Sequence, residues 1–263
     1  MTPKHLTLTI DSRGLARLTL NRPEVKNAFN EDLIGEIADT IGRLSAEKSV
    51  RVVVMTGAGD AFCAGADLSM MKRAAGYSAA ENKQDARRLA HMLNAIYSCE
   101  KPVIALVNGH CMGGGVGLAS AADIVIAAED ALFALSEVRL GLVPAVISPF
   151  VVRAIGVRQA RRYFLTGERF DAMTAKAIGL VNMVSMRAQL EATLAGVVDN
   201  LLACGPNAQK EAKALIRLVS HRPIDEAVME DTAALIARVR ASDEGKEGVA
   251  SFLEKRKPDW VKG

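Results

Sequence analysis

Two glycine- and alanine-rich segments and one carboxylate are the residues of this chain best suited to chemistry. FCAGADL spans Phe62 to Leu68, NGHCMGGGVGL spans Asn108 to Leu118, and Glu137 follows in FALSEVRLGL. Each segment leads into a helical pattern, so both can direct backbone N–H groups at one oxygen atom. Such a pair of donors stabilises the negative charge that develops on a carbonyl oxygen. The sequence therefore predicts an oxyanion hole.

The glycine triplet has a simpler interpretation as well. Gly113, Gly114 and Gly115 could serve as a tight turn between a strand and a helix. The presence of FCAGADL favours the oxyanion hole, because glycine permits close backbone approach to a ligand and the following helix adds its positive end.

Glu137 is the one obvious acid or base of this region. Gly117 stands about one helical turn beyond Gly114, at a point where an acid would supply a second proton-transfer group. His110 is interpreted as a hydrogen-bonded neighbour, and Cys63 and Cys111 as packing residues, because no partner base for a nucleophilic thiol is evident. The sequence predicts a site with a single protein carboxylate.

Composition sets broad limits on function. The chain has 263 residues, 50% of them hydrophobic, and its 33 basic residues exceed its 30 acidic residues by only three. This length suits one large domain or a domain with an appendage. A charge of +3 with 4% aromatic residues gives little basis for binding nucleic acid.

The cysteines and the apolar segments indicate a reducing, aqueous location. Four widely spaced cysteines with no CxxC pair predict neither disulfides nor a metal site. MTPKHLTLTI lacks an apolar signal core, and Asp123 interrupts the longest apolar stretch, so no membrane segment is expected. We therefore expect a cytoplasmic protein.

Hydrophobic periodicity predicts an α/β fold with largely parallel strands. HLTLTI and LARLTL flank a turn at Asp11 to Gly14, which indicates an opening hairpin, and an amphipathic helix capped near Asn30 follows. Buried strands are expected at Val50–Gly57, Pro102–Gly109 and Asp123–Ala128, with a long polar helix from about Ala79 to Cys99.

The character of the chain changes near Gly205 and Pro206. Residues 1–204 alternate strand and helix patterns, whereas 205–263 are helical and highly charged, with no convincing strand. We interpret the first part as the core. The second is predicted to be a helical region whose apolar stripes pack on the core or on another subunit.

Six motifs in order resemble the enoyl-CoA hydratase/isomerase (crotonase) superfamily. They are NRPEVKNAFN, FCAGADL, NGHCMGGGVGLASAADIVIA, FALSEVRLGLVP, LTGERFDAMTAKAIGLVNMV and SFLEKRKPDW, and they extend over nearly the whole chain. The resemblance implies a spiral of repeated ββα units and a C-terminal helical trimerisation region. It also implies an acyl-CoA substrate, with no cofactor beyond its CoA moiety, and a homotrimer or a hexamer made of two trimers.

The same resemblance assigns site residues by motif. It implies that the N–H groups of Ala66 and Gly114 form the oxyanion hole and that Glu137 is catalytic. It implies contacts with CoA from several further positions, some of them in loops and two near the C-terminus: Lys26, Ala28, Ala64, Asp67, Leu68, Gly113, Phe252 and Lys255. The C-terminal pair, Phe252 and Lys255, reaches the CoA of a neighbouring subunit in some relatives.

Gly117 departs from the usual pattern of the superfamily. Its hydratases usually carry one glutamate at this position and a second at the position of Glu137. Hydration uses an acid and a base, whereas double-bond isomerisation can proceed with one carboxylate. The segment Ala134–Gly156 nevertheless resembles bacterial hydratases of branched glutaconyl-CoA esters. A hydratase with Glu137 as its sole protein acid/base is therefore preferred, and an isomerase is the alternative.

Two further expectations accompany this interpretation. Arg73 and Arg139 are candidates to bind a distal carboxylate of the substrate, although Arg139 could equally form a structural ion pair. A non-catalytic acyl-CoA-binding protein is an alternative of another class, because Gly117 could mark lost chemistry.

Overall fold

The computed structural model describes residues 4–261, so the first three and last two residues of the chain lie outside the described part. Ten strands are present in this range: β1 (Leu6–Ile10), β2 (Leu15–Leu20), β3 (Val52–Gly57), β4 (Ala61–Cys63), β5 (Val103–Val107), β6 (His110–Met112), β7 (Ile124–Ala128), β8 (Leu132–Ala134), β9 (Arg169–Asp171) and β10 (Met183–Ser185). They form two sheets.

The same range contains ten α-helices. They are α1 (Glu31–Ala46), α2 (Leu68–Ala74), α3 (Ala79–Ser98), α4 (Gly114–Ala121), α5 (Ser148–Thr166), α6 (Ala172–Ala177), α7 (Leu190–Leu202), α8 (Pro206–Val219), α9 (Glu226–Ala241) and α10 (Asp243–Leu253). The predicted cap of α1 is confirmed, since the Asn30 side chain accepts a hydrogen bond from the Leu33 N–H.

The larger sheet has six strands in the order β1-β2-β3-β5-β7-β10. β1 and β2 form the predicted antiparallel hairpin, and each of the other neighbouring pairs is parallel. The central strands β3 and β5 are buried along their whole length, which explains their uninterrupted apolar sequences. The α/β class with largely parallel pairing is confirmed.

A second sheet, in the order β4-β6-β8-β9, lies beside the first. β4, β6 and β8 each follow a strand of the larger sheet after a short connection, and a helix comes next in each case. The turn between β5 and β6 requires Gly109, because a Cβ atom there would lie 2.8 Å from the Asp60 carbonyl carbon. This repetition gives the expected ββα units, and it puts both glycine-rich segments at the ends of neighbouring short strands.

Helices α8 to α10 form the predicted helical C-terminal region. Glu244 of α10 accepts hydrogen bonds from the N–H groups of Asn207 and Ala208, at 3.0 and 2.7 Å, and so satisfies donors at the start of α8. The division of the chain at residue 204 stays a prediction. In residues 4–261, no helix combines the length and apolar character needed to cross a bilayer.

Lys213 attaches α8 to the core. Its ammonium group donates to the Asp123 carboxylate at 2.6 Å and to the Lys101 carbonyl oxygen at 2.8 Å, and the residue is only 9% exposed. Asp123 also accepts a hydrogen bond from the Val103 N–H at the start of β5. An ion pair with a buried cation and a partly exposed carboxylate therefore links the C-terminal region to the first residue of a central strand.

Replacing Lys213 with methionine should destabilise the protein by about 2 kcal/mol, because it removes the cation from an Asp123 carboxylate that is only 30% exposed. Chemical denaturation of the variant and the wild type measures the difference. Lys210→Met is the matched control, since Lys210 forms an exposed pair with Glu100 that should contribute less than about 1 kcal/mol. Equal losses in the two variants would contradict the anchoring role of Lys213.

Candidate active site

Phe29 fixes the first glycine-rich segment through its backbone. The Phe29 N–H donates to the Gly65 carbonyl oxygen at 2.7 Å, and the Phe29 carbonyl oxygen accepts from the Asp67 N–H at 2.8 Å. Successive peptide groups in an extended segment point in opposite directions, so the Ala66 N–H points away from Phe29. This N–H has no acceptor within the part of the chain that the structure describes.

Gly113 and Gly114 begin α4 in the second segment. Gly113 has φ of 50° and caps the helix, while its N–H donates to the Ala134 carbonyl oxygen. Gly114 is the first helical residue, so its N–H has no partner inside the helix. A side chain on Gly114 is excluded because a Cβ atom would lie 2.6 Å from Cε2 of the Phe29 ring.

The two segments meet. A Cβ atom on Gly65, which has φ of 89°, would lie 3.5 Å from the Gly114 nitrogen and 2.9 Å from the Met112 carbonyl oxygen. The Phe29 ring contacts one segment and the Phe29 backbone binds the other, so the N–H groups of Ala66 and Gly114 are held close to each other. This arrangement matches the two donors expected of an oxyanion hole.

Glu137 lies against the same backbone. Its Oε1 atom is 3.2 Å from the position of a Cβ atom on Gly113. Glu137 begins a short 3-10 helix after β8, where its carbonyl oxygen accepts a hydrogen bond from the Leu142 N–H. Burial raises the pKa of the Glu137 carboxyl, and its Oε2 atom is buried with no hydrogen-bond partner among residues 4–261.

These groups together can stabilise an enolate and move a proton next to it. A carboxyl whose pKa lies above its usual range exchanges protons more readily near neutral pH. A thioester oxygen bound by the Ala66 and Gly114 donors would accumulate negative charge while a proton is transferred at the neighbouring carbon. The site is therefore suited to proton transfer beside a carbonyl group.

The space next to the Gly117 backbone is occupied by apolar side chains. A Cβ atom on this residue would overlap the Cγ2 atom of Ile147 and lie 2.9 Å from the Ile147 Cβ atom. Leu93 adds a contact at 3.7 Å. The position that lacks the acid thus has no room for any side chain, which the sequence pattern did not reveal.

Three of the residues expected to bind CoA lie together beside the first segment. Lys26 is exposed in a left-handed turn with φ of 52°, and its carbonyl oxygen accepts a hydrogen bond from the Ala64 N–H at 2.9 Å. Ala28 is buried two residues later. The fully buried Asn27 holds this turn in place by donating to the Ala58 and Ala61 carbonyl oxygens.

Asp67 uses its side chain inside the protein. The carboxylate accepts hydrogen bonds from the Ser69 N–H and hydroxyl and from the Arg22 guanidinium, and these contacts lower its pKa to about 2. Its predicted contact with CoA stays a prediction and is restricted to backbone atoms. Leu68 follows with 76% exposure, so its side chain is accessible to a ligand.

Phe252 and Lys255 lie at the end of α10, away from the elements that carry Glu137. Phe252 is 81% exposed and lines a cleft of about 810 Å³ between α8, α9 and α10, together with Arg238 and Trp260. Lys255 has φ of 55° just beyond the helix. α10 packs mainly on α8 and α9, and the predicted contact of this pair with CoA stays a prediction.

Of the two arginines predicted to bind a distal carboxylate, Arg73 is paired with another residue, whereas the role of Arg139 stays a prediction. Arg73 donates to both carboxylate oxygens of Glu31, at 2.8 and 2.7 Å. The Arg139 side chain packs over Gly167, where a Cβ atom would lie 3.2 Å from its Cγ and Nε atoms. Neither arginine is directed at Glu137 by these contacts.

The two cysteines and the histidine near the glycine-rich segments lie inside the protein. Cys63 and Cys111 are paired across β4 and β6 and fully buried, and burial raises the pKa of the Cys63 thiol to about 12. Neither thiol is suited to nucleophilic attack, in agreement with packing roles. The Nδ1 atom of His110 is buried without a hydrogen-bond partner in the described range.

Sequence reasoning missed Phe29, Arg22, Asn27 and Ile147. The first three belong to the motif NRPEVKNAFN, and only the structure shows that they support the first glycine-rich segment. An arginine, an asparagine and a phenylalanine close together in one motif were the only sequence features that could have indicated this supporting role. Ile147 gave no such indication, because an isoleucine at the start of a helix is common in a buried core.

Comparison with known proteins identifies the family of the chain. The family described as Enoyl-CoA hydratase/isomerase matches residues 11–263. The crotonyl-CoA hydratase of Syntrophomonas wolfei is 34% identical over 249 residues, covering 94% of each chain. The short-chain-enoyl-CoA hydratase of Clostridium acetobutylicum is 33% identical over 254 residues, also covering 94% of each chain.

A solved structure has the same fold throughout. The crystal structure of an enoyl-CoA hydratase from Shewanella pealeana superposes with a TM-score of 0.95 at 38% identity, covering 98% of this chain and 97% of that one. With nearly the whole chain matched in sequence and in fold, this protein belongs to the enoyl-CoA hydratase/isomerase family.

Proposed function

We propose that this enzyme adds water to a 2-enoyl-CoA thioester, with Glu137 as its sole protein acid/base and the N–H groups of Ala66 and Gly114 as the oxyanion hole. The observation that carries the proposal is the position of the Glu137 carboxylate, whose Oε1 atom is 3.2 Å from a Cβ position on Gly113, the residue before the Gly114 donor. Two named relatives, a crotonyl-CoA hydratase and a short-chain-enoyl-CoA hydratase, support hydration as the reaction.

One carboxylate can complete the reaction. Glu137 takes a proton from water while the water oxygen bonds to carbon three of the acyl chain. The electron pair of the double bond moves towards the thioester, whose oxygen becomes negative and is stabilised by the two N–H donors. Glu137 then returns its proton to carbon two as the thioester carbonyl reforms, so one water is added and the carboxylate is regenerated.

A branched glutaconyl-CoA ester is the preferred substrate class. The support is the similarity of Ala134–Gly156 to bacterial hydratases of such esters, together with glycine at position 117. Because Arg73 is paired with Glu31, Arg139, which is exposed, is the remaining arginine candidate for the distal carboxylate.

Isomerisation of an enoyl-CoA double bond is the second candidate. It is favoured by the filled space at Gly117, where Ile147 leaves no room for a second proton-transfer group. The non-catalytic alternative is set aside, because the chain belongs to a family of enzymes and retains both the carboxylate and the hole donors.

CoA recognition is proposed for the turn at Lys26 and Ala28 and for the loop at Ala64, Asp67 and Leu68, with Gly113 at the thioester. Lys26 offers an exposed ammonium group to the phosphates of CoA.

Self-association into trimers or hexamers is also proposed. Exposed apolar residues of α10, including Phe252 at 81% and Leu253 at 72%, support a subunit contact there.

Replacing Glu137 with glutamine should reduce hydration at least about 100-fold, because general acid–base catalysis contributes roughly 10²–10⁴. Binding of the acyl-CoA should be retained. The assay incubates crotonyl-CoA and 3-methylglutaconyl-CoA separately and measures the gain of one water by mass. Glu129→Gln, an exposed matched control, should keep wild-type turnover. Double-bond migration without a gain of water in the wild type would contradict the hydratase proposal.

The raised pKa of Glu137 predicts a pH-dependent gain in stability for Glu137→Gln. A carboxyl whose pKa is higher in the folded than in the unfolded protein lowers stability when it is ionised at neutral pH. That loss is relieved as the pH falls through the folded pKa towards the unfolded value of about 4.3. Thermal unfolding should therefore show Glu137→Gln above the wild type at pH 7. The gap should narrow on acidification, and a gap that does not change with pH would contradict the burial of an ionised Glu137.

Replacing Lys26 with methionine should raise KM for crotonyl-CoA several-fold and leave kcat nearly unchanged, because a phosphate contact binds ground state and transition state alike. The effect should diminish at high salt. The same reaction with crotonyl-pantetheine, which lacks the nucleotide phosphates, provides the control and should show no effect of the substitution. An equal loss with both thioesters would exclude Lys26 as a phosphate contact.

A further inference from the structure

Ile147 packs directly onto the bare backbone of Gly117. A Cβ atom on Gly117 would overlap Cγ2 of Ile147 and approach its Cβ atom to 2.9 Å. The Ile147 side chain is only 3% exposed, and its carbonyl oxygen accepts hydrogen bonds from the N–H groups of Phe150 and Val151 at the start of α5. The backbone that carries this side chain is therefore held in place.

This contact adjoins the catalytic carboxylate. Gly113, which Glu137 touches, and Gly117, which Ile147 touches, are four residues apart at the start of α4. One helical turn advances about 5 Å, so Ile147 covers the part of the helix next to Glu137. Leu93, fully buried on α3, closes the same space at 3.7 Å from the Gly117 Cβ position.

We propose that Ile147 is a specificity-determining residue of this active site, which excludes any side chain at position 117 and confines proton transfer to Glu137. The inference rests on the proposed function, since it concerns the same acyl-CoA site. It adds that the absence of a second acid is maintained by packing from α5. A substitution at position 117 alone cannot supply that acid.

A double-mutant cycle in thermal stability tests the packing. Gly117→Ala should lower Tm by roughly 5 °C in the wild-type background, because overpacking forces Ile147 to move. In an Ile147→Ala background, the same change should be neutral or stabilising, since the added methyl group fills vacated space. Ile155→Ala, another buried position of α5, provides the matched control. Gly117→Ala should cost the same there as in the wild type. An equal cost in the Ile147→Ala background would overturn the proposal.

Activity tests the chemical role. The single substitution Gly117→Glu should not raise hydration of crotonyl-CoA above the wild type. Combined with Ile147→Ala, it should raise hydration at least about 10-fold above Ile147→Ala alone, because a carboxylate can then enter beside Glu137 and share the proton transfers. Gly117→Gln with Ile147→Ala has the same size without a transferable proton and should show no such gain. Similar rates for the glutamate and glutamine pairs, or a gain from Gly117→Glu alone, would overturn the proposal.

The two sets of measurements separate this inference from the proposed function. If the wild type hydrates no 2-enoyl-CoA, the proposed reaction fails, yet the stability cycle still decides whether Ile147 excludes side chains at position 117. If hydration is found and the cycle shows no coupling, the reaction stands and the role of Ile147 fails.

Discussion

The site depends on Phe29 more than on any other single residue. Its N–H and carbonyl oxygen bind Gly65 and Asp67 of the first loop, while its ring packs against Gly114 of the second. Two loops that are far apart in the chain thereby acquire a fixed relative position. An oxyanion hole needs its donors in place before the reaction, because reorganising them would cost the stabilisation they provide. Packing at Phe29 supplies that preorganisation.

Two glycines of α4 and its cap allow side chains from other elements to approach the backbone, among them that of Glu137, the proposed catalytic carboxylate. Glu137 can approach the backbone of Gly113, and Ile147 can approach that of Gly117, because neither glycine carries a side chain. The first contact places a partly buried acid beside the hole, and the burial raises its pKa. The second fills the neighbouring space with an apolar group. The start of α4 therefore has a carboxylate beside Gly113 and an apolar side chain beside Gly117, one helical turn apart.

Much of the fold could be predicted from local pattern. The hairpin, the Asn30 cap, the long parallel strands and the C-terminal helices were evident from periodicity and turn residues. The strands β4, β6 and β8 were missed because three residues are too few to show an alternating pattern. The structure also showed that the Arg73 guanidinium is paired with Glu31 and that the Asp67 carboxylate is bound within the protein. Such pairings join residues distant in sequence.

The sequence by itself determined the chemistry that the chain carries: two segments able to direct backbone donors, one carboxylate after them, and no acid at position 117. These depend on residue type and local spacing, which are readable without coordinates. Only the tertiary structure decided that the two segments meet, that Glu137 lies against Gly113, and that Ile147 occupies the space beside Gly117. Those facts depend on the distance between elements far apart in the chain, and close packing in three dimensions sets that distance.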